Sequence, residues 1–195
     1  LKPYAWGSED FPIVDAVGMV SGQRIPVQVI DGPGAEITLR YTRLGIKLDP
    51  TTPPFNFSVK GGSSGVTVLK VELPAVYENI LLHQLGFQTD NPHAIVKLTV
   101  WDELGVKLGE GVFANSDHCI VTLWPLRLLI NKDGSRVVTV RADFLPVGLP
   151  NTVKAGGKVG ITYSSGEVWG IGESSGRVIH PTDITAYPYT TVTLM

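Results

Sequence analysis

Short runs of alternating apolar and polar residues, separated by glycine and proline, are the feature that most constrains how this chain can fold. The clearest run spans residues 136–144, where Val138, Val140, Ala142 and Phe144 alternate with polar residues. Successive side chains of a β-strand point to opposite faces, so this spacing predicts a strand with one buried face. Long stretches at helical spacing are missing. The sequence therefore predicts an all-β protein.

The spacing of these runs favours a sandwich, with roughly nine or ten strands and no alternation of strands with helices. Residues 79–88 are ambiguous between a strand and a helix. We interpret them as a strand with a β-bulge, because Ile80 and Leu82 share one phase and Leu85 and Phe87 share the other. We expect an antiparallel Ig-like β-sandwich over residues 44–195, preceded by an N-terminal strand extension over residues 1–43.

Composition narrows the classes of partner. Charged residues make up 17% of the 195 and the net charge is −2, which argues against the basic surface that binds nucleic acid. No run reaches the ~20 apolar residues of a membrane span. The only cysteine, Cys119, excludes an intramolecular disulfide. A chain of this length can bury a core without a metal or disulfide, and we expect no cofactor.

The beginning of the chain repeats a sequence found near its end. Residues 17–25 align without a gap on residues 171–179, and five aligned pairs are identical or similar: Val17/Ile171, Gly18/Gly172, Ser21/Ser175, Gly22/Gly176 and Ile25/Ile179. Pro26 and Pro181 follow, and an alternating run ends in Ile46-Lys47-Leu48 or Val192-Thr193-Leu194. Such repeats are typical of tandem arrays and of subunits that join head to tail. Chance similarity of two Gly/Ser-rich loops is the alternative.

No motif predicts an enzyme. His118 and Cys119 are neighbours and would point to opposite faces of a strand, so the imidazole is badly placed to activate the thiol. The histidines lack metal-ligand spacing. Residues 131–135 resemble a calcium loop but lack its closing glutamate, and we interpret them as a hairpin turn. Residues 61–65 lack the Lys-Ser/Thr of a phosphate loop, and we interpret them as a flexible loop before a strand.

Aromatic residues leave a carbohydrate-binding reading open. Flat aromatic faces suit sugar rings, although packing in a core or between subunits is the other explanation for the four tryptophans, Trp6, Trp101, Trp124 and Trp169. Asn56-Phe57-Ser58 matches the sequon for N-linked glycosylation, which applies only where the source glycosylates exported proteins.

The strand pattern from Phe57-Ser58-Val59-Lys60-Gly61 to Val71-Glu72-Leu73 resembles the opening of an Ig-like repeat of prokaryotic cell-surface and S-layer-like proteins. Later strands follow in the same order, at Val96 to Asp102, at Gly109 to Phe113 and at Val137 to Phe144. The resemblance covers about residues 44–163 and departs from such units at the bulky residues 123–127. It implies an architecture and a surface setting, and it carries no catalytic motif.

We therefore expect a non-catalytic structural subunit of an extracellular filament or cell-surface array. Copies of the chain would be the partners, joined head to tail by β-strand addition, in which a strand of one subunit pairs with a sheet edge of the next. The extension is the candidate donor, through its apolar residues Phe11, Ile13, Val14, Val17, Ile25, Val27 and Val29. A carbohydrate-binding or adhesion module of a surface protein, with a glycan as partner, is the alternative.

Overall fold

The structure, a computed structural model, describes residues 16–17, 24–25, 41–114, 116–150, 152–185 and 189–195. The chain divides into two compact units, Leu1–Arg40 and Tyr41–Met195. In the first, β1 (Ala16–Val17) and β2 (Arg24–Ile25) form a two-stranded antiparallel sheet. The second is an all-β sandwich of two sheets, as the alternation predicts.

One sheet of the sandwich has six strands. Their order is β15 (Pro181–Thr185), β3 (Arg43–Leu48), β5 (Val66–Val76), β11 (Ser135–Phe144), β7 (Ile95–Trp101) and β8 (Lys107–Gly111). The long strand β11 lies between β5 and β7, and its alternating apolar side chains all face the core, where Val138, Val140 and Ala142 are fully buried and Phe144 nearly so. The predicted inward face of this strand is confirmed.

The other sheet has eight strands. Six follow the order β14 (Val178–Ile179), β13 (Trp169–Gly172), β6 (Ile80–Thr89), β12 (Lys158–Tyr163), β16 (Tyr189–Leu194) and β4 (Asn56–Val59), while β9 (His118–Thr122) and β10 (Leu128–Ile130) pair with β6. With the six strands opposite, the described part of the sandwich holds more strands than expected, because several have only two to five residues.

Strand β6 confirms the strand interpretation of residues 79–88. Its register with β13 passes from Gln84 opposite Trp169 to Leu82 opposite Gly170, which leaves His83 as an extra residue on β6. This β-bulge shifts the alternation, so that side chains on both sides of it reach the core. Ile80, Leu82, Leu85 and Phe87 are all buried as a result.

Two strand pairings are parallel, which the expectation of an antiparallel fold did not include. Strand β15 pairs in parallel with β3, and β16 pairs in parallel with β4 while lying antiparallel to β12. The last strands of the sandwich therefore sit beside its first ones. Residues Ile46–Leu48 end β3 and Val192–Leu194 end β16, in different sheets, so these two runs are not structural counterparts.

The turn at residues 131–135 corrects a prediction. It connects β10 to β11, which belong to different sheets, so it crosses between the layers and is not a hairpin. Asp133 has a φ of 55°, and its carboxylate accepts a hydrogen bond from the Tyr77 N–H at 3.1 Å. Among the described residues, no helix has the length and apolar character needed to cross a membrane.

Candidate functional site

The last part of the sandwich begins with a hairpin, residues 170–179, which we call the closing hairpin. It extends the eight-stranded sheet beyond β6: Ile171 lies opposite Leu81 of β6 on one side and Val178 of β14 on the other. Ile179 at the end of the hairpin is buried. The hairpin is thus an added pair of strands on an edge of the long strand β6.

The loop of the closing hairpin is anchored on one buried carboxylate. Glu78 lies just before β6 and is 7% exposed. Its Oε2 accepts hydrogen bonds from the Ser174 N–H at 3.0 Å and the Ser175 N–H at 2.9 Å. Its Oε1 accepts from the Ser175 hydroxyl at 2.8 Å and from the Thr42 hydroxyl. Four donors therefore satisfy both oxygens, as a buried charge requires.

The protonation of Glu78 reflects this environment. Burial raises the pKa of its carboxyl group, but the hydrogen bonds from Thr42, Ser175 and Ser174 outweigh burial and hold the pKa below its ordinary value. The carboxylate is therefore charged near neutral pH. Beside Glu78, Asn79 makes a second anchor. Its side-chain NH₂ group donates to a Glu173 carboxylate oxygen at 2.7 Å, and its main-chain carbonyl accepts a hydrogen bond from the Glu173 N–H at 2.9 Å.

Two glycines let the loop reach this carboxylate. A Cβ on Gly172 would collide with Glu78 Oε1, so only glycine fits at that position. Gly176 has a φ of 64°, in the left-handed region that glycine adopts without strain. Together with the Ser175 hydroxyl, these glycines are the parts of the loop whose side-chain identity the anchor requires.

The hairpin of the first unit has the same register as the closing hairpin. The corresponding positions pair in each: Ala16 with Ile25 and Val17 with Arg24 in β1–β2, and Gly170 with Ile179 and Ile171 with Val178 in β13–β14. Both pairs enclose loops of equal length, and the paired positions coincide in the sequence alignment. The repeat found in the sequence is therefore also a repeat of strand pairing. We call residues 16–25 the N-terminal hairpin.

The donor candidates divide between described and undescribed residues. Val17 lies in β1 and Ile25 in β2, so the structure brings these two into one hairpin. The other candidates lie outside the described residues: Phe11, Ile13, Val14, Val27 and Val29.

Asn56 begins β4, the last strand in the order of the eight-stranded sheet, and its side chain is exposed. The main chain of β4 is tied to the end of the chain, since the Val59 carbonyl accepts from the Met195 N–H at 2.9 Å. Next to Asn56, the rings of Phe55 and Tyr189 lie 5.1 Å apart. The sequon asparagine is thus accessible at a sheet edge.

The Cys119 thiol is unsuited to nucleophilic chemistry. Burial raises its pKa to about 12, and the charge of Glu167 adds to the shift. The His118 ring is directed away from it, with Nδ1 3.1 Å from a Glu167 carboxylate oxygen. The described residues contain no group of three His, Cys, Asp or Glu side chains placed to hold a metal ion.

The three tryptophans in the described part of the chain do not form one platform. Trp101 lies on β7 under the Arg141 guanidinium, 4.6 Å from its ring centre, whereas Trp169 stacks on His83 of the other sheet at 4.7 Å. Trp124 is 67% exposed in the connection between β9 and β10, with the Arg127 guanidinium 4.9 Å from its ring centre. Trp6 is outside the described residues.

Sequence reasoning missed Glu78, the acceptor of the anchor, and Thr42, whose hydroxyl donates to it. Nothing local marks either residue, because the loop that they contact lies far away along the chain. The signal on the loop side was visible: Gly172, Ser175 and Gly176 are the positions of the loop that are identical in the N-terminal copy. In the closing hairpin, Ser175 donates to Glu78, Gly172 lies against its carboxylate and Gly176 has a positive φ.

No family model and no curated protein matches the sequence. Solved structures with similar folds include a cohesin of Clostridium thermocellum in complex with a dockerin, with 12% identity and a TM-score of 0.44 over 83% of this chain and 100% of that one. A cohesin module from a Clostridium perfringens family 33 glycoside hydrolase has 11% identity and a TM-score of 0.39 over 78% and 96%. A PapD-like domain of a human protein has 11% identity and a TM-score of 0.32 over 87% and 98%. At these values, none of the matches assigns a function to this chain.

Proposed function

We propose that this protein is a non-catalytic structural subunit of an extracellular filament or cell-surface array, in which chains join head to tail by β-strand addition. One observation carries the proposal: the N-terminal hairpin has the register and loop length of the closing hairpin, which itself is a pair of strands added to a sheet edge. A chain with a second hairpin of this kind has the means to add it to a neighbour.

The physical basis is main-chain pairing together with apolar burial. A sheet edge presents N–H and C=O groups that a strand from another chain can satisfy. Each fully buried valine or isoleucine adds about 1.5–3 kcal/mol. A contact between the N-terminal segment of one subunit and the sandwich of the next is heterologous. Repeated contacts of this kind build a filament unless the rotation from one subunit to the next closes a ring.

The non-catalytic assignment is supported by the chemistry of the one thiol. Cys119 is buried with a raised pKa, and His118 is engaged with Glu167. We expect Cys119→Ser and His118→Ala to leave assembly unchanged. The extracellular or cell-surface location is supported only by the strand pattern that resembles surface repeats, and fractionation of the source cells tests it.

The assembly proposal is tested by removing residues 1–30. We expect the shortened chain to keep the sandwich and to lose polymerisation, measured by light scattering and negative-stain electron microscopy. Protection of Cys119 from a thiol reagent reports that the core has formed, because this thiol is buried in the sandwich. A peptide of residues 1–30 should bind the shortened chain.

A full-length variant keeps the test independent of truncation. Val17→Asp places a charge on the strand that would be added, and it should also prevent polymerisation. Lys2→Asp changes the charge outside the aligned hairpin and serves as the matched control. Filaments of normal length from either the shortened chain or the Val17→Asp variant would contradict the proposal.

A carbohydrate-binding or adhesion module is the second candidate, favoured by the exposed ring of Trp124. An exposed tryptophan can stack on a sugar ring. Retention of the protein on insoluble polysaccharides, lost in Trp124→Ala and kept in Leu126→Ala, would favour this function. Leu126 is a suitable control because it is half exposed in the same connection.

A further inference from the structure

The sequence match between the two hairpins continues to the end of the sandwich. With His180 left unmatched, further aligned pairs follow: Pro26 with Pro181, Val29 with Ile184, Pro33 with Pro188, Ile37 with Val192, Thr38 with Thr193 and Leu39 with Leu194. We call residues 170–194 the closing segment and residues 16–39 the donor segment. The closing segment contains β13 from Gly170 onward and all of β14, β15 and β16, so the donor segment matches residues of all four strands in sequence.

Within the hairpin loop, the identical positions of the two segments are the ones that the anchor uses. Within the loop, the glycine that approaches Glu78, the serine whose hydroxyl and N–H donate to it, and the glycine with positive φ are all retained as Gly18, Ser21 and Gly22. Ser174, which donates only through its N–H, is replaced by Val20. A valine N–H can make the same bond. The loop of the donor segment therefore has the groups that donate to Glu78 in the closing segment.

We infer that the donor segment binds a second copy of the sandwich in the place of that copy's closing segment, with Ser21 donating to Glu78. The inference rests on the proposed function and specifies which strands are exchanged and what holds them. In this arrangement Val17 takes the position of Ile171 beside Leu81, and Ile37 to Leu39 take the positions of Val192 to Leu194 between β12 and β4.

Two differences favour a chain's own closing segment over the donor segment. The donor segment has Ala16 at the position of Gly170, where a Cβ would lie 2.7 Å from Ile80 Cγ2 and 2.9 Å from the Leu81 carbonyl oxygen. The closing segment has the hydrogen bond from the Asn79 amide to Glu173, and the donor segment has Met19 at the corresponding position. A sandwich closed by its own segment therefore keeps a contact that the donor segment cannot make. Replacement of a segment of one copy by the matching segment of another is related to domain swapping, and it proceeds to long assemblies when each donor enters the next copy. Glu173→Met removes the second of the two differences and should increase exchange.

The position is tested by disulfide trapping in the full-length chain. In Val17→Cys/Leu81→Cys, the two cysteines become neighbours across adjacent strands only if Val17 occupies the place of Ile171. The matched control is Arg24→Cys/Leu81→Cys, since Arg24 corresponds to Val178 and lies one strand further out, about 10 Å away. Cys119 stays in both proteins because burial protects it. Ile171→Cys/Leu81→Cys gives the intramolecular reference.

We expect mild oxidation of Val17→Cys/Leu81→Cys to give a ladder of linked chains on a non-reducing gel, in at least about tenfold excess over the control pair. Adding Ser21→Ala should lower the ladder about tenfold or more, because it removes a hydrogen bond to a charged group. Ser64→Ala, in an exposed loop, should leave the ladder unchanged. Equal linkage in the two cysteine pairs, linkage within single chains, or a ladder unaffected by Ser21→Ala would overturn the inference.

These outcomes also separate the inference from the proposed function. If filaments form but Val17→Cys and Leu81→Cys do not link, the proposed function stands and the binding position of the donor segment is wrong. If the two cysteines link but no filaments form, the binding position stands and the filament proposal is wrong.

Discussion

Glu78 joins parts of the sandwich that are far apart in sequence. Its carboxylate accepts a hydrogen bond from the hydroxyl of Thr42, which precedes β3, the first strand of the sandwich. It also accepts hydrogen bonds from the loop of the closing hairpin, near the end of the chain. A buried carboxylate is costly to leave unpaired, because each lost donor leaves a charged oxygen without a hydrogen bond. The stability of the closing hairpin therefore depends strongly on one side chain.

Glu78→Ala tests this dependence. Removing the carboxylate leaves the Ser174 and Ser175 N–H groups and the Thr42 hydroxyl without their acceptor, and we expect the free energy of unfolding to fall by about 2–4 kcal/mol. Urea unfolding followed by tryptophan fluorescence measures the change. Glu110→Ala is the matched control.

Glu110 also contacts two lysines, Lys97 at 3.2 Å and Lys107 at 2.6 Å, but on the exposed surface. Exposed ion pairs contribute little, so this variant should unfold like the unaltered protein. Equal destabilisation by the two substitutions would contradict the assignment of a special role to Glu78.

The pH dependence of the same contact has a definite sign. The folded protein holds the pKa of Glu78 below its ordinary value of 4.5, so the charged form stabilises the fold. This contribution is complete above pH 4.5 and is lost as the pH falls through the lowered pKa. We expect the difference in unfolding free energy between the unaltered protein and Glu78→Gln to be largest near pH 7 and to shrink in acid.

Glutamine does not titrate. The other described carboxyl groups with a lowered pKa, Asp49, Glu103 and Glu110, titrate in both proteins, so their contributions cancel in the comparison. Unfolding curves at intervals from pH 7 to pH 3 measure the difference. A difference that grows as the pH falls would show that the sign assigned to Glu78 is wrong.

At the scale of elements, the central strands of the six-stranded sheet carry the core. Leu69 of β5 is fully buried between the sheets, whereas Leu104, in the turn between β7 and β8, is 84% exposed. Leu69→Ala removes the same atoms as Leu104→Ala but leaves a cavity, and we expect a loss of about 2–5 kcal/mol. Thermal or urea unfolding of both variants measures the contrast, and comparable stability for the two would contradict the placement of β5 in the core.

Local pattern was sufficient to predict some elements and insufficient for others. The inward face of β11 and the bulge in β6 follow from alternation within a few residues, and both are present. The parallel pairing of β15 with β3 and of β16 with β4 depends on contacts between distant parts of the chain. The turn after β10 contains the Asp-Gly pair that is typical of hairpins. The flanking strands nevertheless belong to different sheets, because β10 pairs with β6 and β11 pairs with β5 and β7.

At the scale of the whole molecule, the repeat in the sequence marks the loop of the closing hairpin but not the residue that the loop contacts. Gly172, Ser175 and Gly176 stood out because they recur as Gly18, Ser21 and Gly22. Glu78, which accepts hydrogen bonds from the N–H and hydroxyl of Ser175, lies in no sequence pattern of its own. A repeat in the sequence can therefore identify the donor loop of such a contact, whereas the acceptor is identified only from the fold.

The place of β16 has a consequence for how the protein is made. Strand β4 pairs only with β16 among the described strands, yet the ribosome produces β4 early and β16 last of all the strands of the sandwich. Pairings between such distant segments form slowly. Until β16 has been synthesised, β4 therefore lacks the strand that pairs with it, although its Phe57 and Val59 pack against the core in the finished sandwich. The eight-stranded sheet is completed only after translation has passed Leu194.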